Sequence, residues 1–175
     1  MDESRKNVTR RGYNLENINL WEDEINRLYL LVRRQINFAI HNSVILKQLN
    51  ITLKECQDYI ILIGSIEKIS DIFVEVAKNG VKINKLSTYT KNYLNASYKN
   101  ILRAYEMAFR SIFTKDFALP NEALKKVDEI KISTGALKKE KLEEDVKRRL
   151  YLVIYNLHST TNFIKEIAEI GLDIF

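Results

Sequence analysis

A single proline and only five glycines among 175 residues leave little material for turns. That scarcity argues against a many-stranded fold and for a few long helices joined by short connections. The lone cysteine, Cys56, cannot close an intrachain disulfide, so nothing marks an oxidising compartment and the cytoplasm is the expected location. No uncharged apolar run reaches the ~18 residues of a membrane span, and no apolar stretch follows the charged start as in a signal peptide. The two histidines, His41 and His158, form no H-x-x-x-H or E-x-x-H pattern, which argues against zinc proteases and ferritin-like di-iron enzymes. Phosphate-cradling glycines and a nucleophile with a partnered base are also missing, so an enzyme is not expected.

Charge of one sign is lacking too. The formal charge is +5, but 28 Lys and Arg are interspersed with 23 Asp and Glu. Basic clusters such as Arg33-Arg34, Lys138-Lys139 and Lys147-Arg148-Arg149 are not interleaved with aromatic stacking residues. They read as solvated helix faces, and direct nucleic-acid binding is not expected.

Apolar spacing supplies the organisation. Residues 1–18 are polar and aperiodic and read as a tail, leaving 19–175 as one helical domain. Asn19 and Glu22 resemble a capping box. After them Ile25, Leu28, Tyr29, Val32, Ile36, Ala39 and Ile40 keep helical spacing over about 20–48. Thr52 and Glu55 form a second box, opening a helix that should stop where Gly80 takes a left-handed conformation. A short connection requires these two helices to pack antiparallel. Further helices are expected over about 90–114, from Pro120 to about Ile130, and from about Leu137 to Gly171, with a break at Thr134-Gly135. "DIFVEVAKNG" at 71–80 echoes "NFIKEIAEIG" at 162–171, which suggests repeats over about 19–82 and 88–175.

Within that echo lies the main chemical signal. Glu67, Asp71 and Glu75 recur every fourth residue, a nearly straight line that drifts about 40° per step and continues an apolar stripe. A carboxylate on a buried stripe needs a cation, either a basic side chain such as Lys68 or a metal ion. Two carboxylates one turn apart suit a hard cation. Glu22 and Asn26, one turn apart on the first helix, could be brought near Glu67 and Asp71 by antiparallel packing. The same offset maps Glu67 to His158 and Asp71 to Asn162, so the second copy lacks both acids.

"EDEINRLYLLVRRQ" followed by "CQDYIILIGSIEKISDIFVEVAKNG" resembles the PhoU-type phosphate-uptake regulators, with Ile66-Glu67-Lys68-Ile69-Ser70-Asp71 in place of their L-E-R-I-G-D core. The likeness covers about residues 20–80 well and 120–171 poorly. It implies two three-helix repeats, and a metal ion or cluster (iron, zinc or magnesium) held by Glu67, Asp71, Glu22 and Asn26. Glu75, Asp128 and His158 are outlying candidates. Asn26 departs from the family's aspartate. The first repeat is short of its first helix, so the chain is a short form or a C-terminal piece without the family's upstream AbrB-type DNA-binding domain. Five helices would leave an apolar groove that a second subunit could fill, hence an expected homodimer.

The resemblance implies a regulator of phosphate uptake or phosphate signalling, acting by binding a transporter or signalling protein and reaching the membrane only through that partner. A structural helical bundle without metal is the alternative. A third is a role in transcription through a DNA-binding domain that is absent here.

Overall fold

The computed structural model describes residues 15–83, 86–114, 116–132, 134–135 and 141–173. These residues form an all-α bundle with no strand among them: α1 (Leu15–Ile40), α2 (Ser43–Leu49), α3 (Leu53–Gly80), α4 (Thr88–Thr114), α5 (Ala118–Glu129) and α6 (Glu144–Asp173). Residues 1–14 of the expected tail lie outside the described residues, and so do 136–140, where the last helix was expected to start.

Local chemistry sets several ends. Thr52 opens α3 with the anticipated box. Its Oγ1 accepts from the Glu55 backbone N–H at 3.1 Å, and its own N–H donates to Glu55 Oε2 at 2.7 Å. Because the carboxylate accepts from that N–H and also from the Thr52 hydroxyl at 2.8 Å, the Glu55 pKa is lowered. Asn42 caps α2 through its side-chain oxygen, and Asn50 closes it in the left-handed region at φ 53°.

Four boundaries differ from the sequence reading. The first helix ends at Ile40 instead of running to about residue 48, because the Asn42 cap starts the separate helix α2. Asn19 caps nothing, since α1 begins at Leu15 and passes through it. Gly80 remains helical, and no described glycine has positive φ; Val81 ends α3 instead. The last helix begins at Glu144, where Glu144 and Asp145 place acids in the first turn as the helix dipole favours.

The helices stack in a definite order. Helix α3 lies antiparallel between α1 and α6. Glu22 meets Lys78 on one side, while on the other Lys54 Nζ donates to the Asp173 carbonyl at 3.1 Å and Ser65 Oγ to Glu166 Oε2 at 2.8 Å. Helices α4, α5 and α6 pack mutually. The core lies among them, with Ile101, Ala104 and Ala108 of α4, Ala123 of α5, and Ile164, Ile167 and Ala168 of α6 fully buried. Small residues let the backbones approach: a Cβ on Gly171 would collide with the Ser111 hydroxyl and come within 3.3 Å of Pro120. Helix α1 stays outside this core, and among its described side chains only Ile36 and Ala39 are buried. No described helix is long and apolar enough to cross a membrane.

Candidate functional site

The acidic line on α3 rotates out of the bundle as its 40° drift requires. Side-chain exposure rises from 16% at Glu67 to 39% at Asp71 and 57% at Glu75. Glu67 sits in a small cleft of about 170 Å3 with Ile25, Leu28 and Tyr29 of α1. Its cation comes from the next residue. Lys68 Nζ lies 2.9 Å from Glu67 Oε2 and 3.5 Å from Asp71 Oδ2, bridging the two carboxylates. The Glu67 hydrogen bond, helped by the charges of Glu67 and Asp71, raises the Lys68 pKa against the opposing effect of desolvation.

The remaining candidate ligands go elsewhere. Glu22 pairs with Lys78 at 3.5 Å, and Lys78 also approaches Glu75 at 3.9 Å, two turns of α3 beyond Glu67. Asn26 lies with Leu20, Asp23, Glu24, Arg27 and Leu30 in a shallow surface formed by α1 alone. Asp128 bonds Lys165 at 2.7 Å across α5 and α6, and the His158 side chain is exposed. Among the described residues no three His, Cys, Asp or Glu side chains gather as a metal site would require. Two carboxylates converge there, and the Lys68 ammonium lies between them.

An apolar concavity lies beside these acids. A groove of about 610 Å3 runs between α1, α3 and α4. Ile66, Ile69, Phe73, Val74 and Ala77 form its floor, Ile18, Trp21 and Ile25 one wall, and Leu102 and Tyr105 the other. Polar groups are few, chiefly Glu22, Ser70 and the Tyr105 hydroxyl. Burial raises the Tyr105 pKa, and its ring stacks on Phe109 at 5.8 Å. Phe73 meets Tyr98 edge-on at 5.9 Å, a contact between α3 and α4 beside the groove.

The sequence reading expected an apolar groove on the first repeat, open to a second subunit, without naming its residues. In the sequence nothing marks these side chains: Trp21 falls next to the first acidic run, and Tyr105 continues the periodic pattern of α4. One acid was also missed. Asp58, early in α3, is buried, and its Oδ2 has no hydrogen-bond partner.

No protein-family model, no curated protein and no solved structure matches the chain.

Proposed function

We propose that the protein is a non-catalytic regulator that acts by binding another protein, and that the groove between α1, α3 and α4 is the surface it uses. One observation carries this: an almost wholly apolar concavity of about 610 Å3 opens beside Trp21. Grooves of this composition take the apolar face of an amphipathic helix, with anchors at helical spacing. Lys78 and Glu22 at the rim supply charge of both signs to orient the ligand.

The finer form of the proposal is regulation of phosphate uptake in the manner of PhoU-type proteins, in the cytoplasm, with a phosphate transporter or signalling protein as partner. Its support is the Ile66–Asp71 motif, whose acids flank the groove's floor on α3. The Lys68 bridge favours a form in which the acids are neutralised by the protein itself and no metal is needed.

A photo-crosslinking residue in place of Phe73, introduced in cells, tests the surface. Capture of one defined protein, abolished by the groove-filling Ala77→Trp, is the expected result. Capture indifferent to Ala77→Trp refutes it, and a captured phosphate transporter would support the finer form. Elemental analysis addresses the acids: stoichiometric metal that disappears with Glu67→Ala plus Asp71→Ala would replace the ion-pair reading.

A further inference from the structure

We propose that the outward face of α1 pairs antiparallel with α1 of a second copy of this chain, forming a two-fold symmetric dimer through a short coiled-coil seam. Helix α1 uses one face against α3, yet the flank about 90° around the helix from it is also apolar. Trp21 is 62% exposed, Leu28 50%, Leu31 50% and Phe38 63%. With Glu24 and Gln35 these residues occupy positions 21, 24, 28, 31, 35 and 38, alternating steps of three and four. That is the 3.5-residue repeat of a coiled-coil seam, and it runs along most of a helix about 39 Å long.

Charge along α1 selects the occupant and its direction. Residues 15–26 contain Glu16, Glu22, Asp23 and Glu24 and no Lys or Arg, whereas 27–40 contain Arg27, Arg33 and Arg34 and no acid. A parallel pair would set like charges level with one another and Glu24 against Glu24. Antiparallel pairing sets the acidic half of each helix against the basic half of the other. A two-fold axis between Tyr29 and Leu30 opposes Leu28 to Leu31, Trp21 to Phe38 and Glu24 to Gln35 of the second copy, whose amide can donate to the carboxylate. On one edge of the seam Asp23 then lies opposite Arg34 of the second copy, twice by symmetry. Neither Asp23 nor Arg34 has an ion-pair partner among the described residues of its own chain. One helix face is thus complementary to itself in both apolar spacing and charge.

Trp21 borders both this surface and the groove between α1, α3 and α4, but Leu28 and Leu31 do not line that groove, so substitutions at 28 and 31 test the seam alone. Sedimentation velocity over a concentration series should show a reversible dimer. The L28E/L31E double variant should raise its dissociation constant about a hundredfold or more, with unchanged helical circular dichroism because both side chains are half exposed. Ala77→Trp should leave the dimer intact. For direction, mixing E24C with Q35C protein should give an intermolecular disulfide faster than either gives alone, the native Cys56 being buried. A wild-type monomer at every concentration overturns the proposal, as does a dimer indifferent to L28E/L31E. E24C that cross-links to itself as fast as the mixture does overturns the antiparallel arrangement.

Discussion

Helices α1 and α6 are similar in length, 26 and 30 residues, and both flank α3, but they meet very different surroundings. Helix α6 is enclosed by α3, α4 and α5 and buries side chains from Leu150 to Gly171, Thr160 and Thr161 included. Helix α1 rests chiefly on α3, with a smaller contact to α2, and leaves leucines, Trp21 and Phe38 in solvent. Burial therefore follows the number of neighbouring helices more than the apolar content of the helix itself. The enclosed helix builds the core, while the open one supplies both proposed contact surfaces.

The sharpest way to challenge this contrast is to delete equivalent apolar volume on both sides. Ile101→Ala in the enclosed half should destabilise by about 2–5 kcal/mol, whereas Leu30→Ala on the open face of α1 should stay within about 0.5 kcal/mol. Chemical denaturation of the two variants measures both, and comparable losses would mean that α1 is covered. A smaller but more local test uses glycines. Gly171→Ala, whose new methyl would strike Ser111, should cost about 1–3 kcal/mol, while Gly64→Ala on α3 meets nothing within 4 Å and should gain about 0.5–1 kcal/mol from helix propensity. Thermal melts of the two should shift in opposite directions.

The smallest effect concerns the start of α3, which joins the two regions. Thr52→Ala removes the cap and should cost about 0.5–2 kcal/mol. The Glu55 carboxyl has a lowered pKa, so its contribution is complete above the ordinary value of 4.5 and fades as pH falls through the folded-state value. Glu55→Gln should flatten the stability profile below that pH and leave its shape unchanged near neutrality. An unaltered acid limb would show that the box is not formed in solution.

Much of the fold was legible in the residues. The Thr52–Glu55 box, the short connection before it, Pro120 in the first turn of α5 and the end of α4 at Thr114 follow from local chemistry that acts within a few residues. Asn19 and Glu22 offered a similar cap-like pair at the same spacing and meant something else. Glu22 reaches across to Lys78, which is 56 positions away. The acids on α3 were visible as a pattern, and Lys68 was visible beside them. What spacing alone could not decide was whether Glu22 and Asn26 would converge on Glu67, because that depends on the axial offset between α1 and α3. The packing aligns Glu22 with Lys78 and leaves Asn26 on the outer surface.

By itself the sequence determined that the chain is helical, where most helices lie and which side of each is apolar, since periodicity and capping are properties of a few neighbouring residues. Only the packing of distant segments decided which apolar faces were enclosed, which acids met which lysines, and that a groove would open beside Trp21. Those outcomes depend on distances between helices, and the helical repeat carries no information about them.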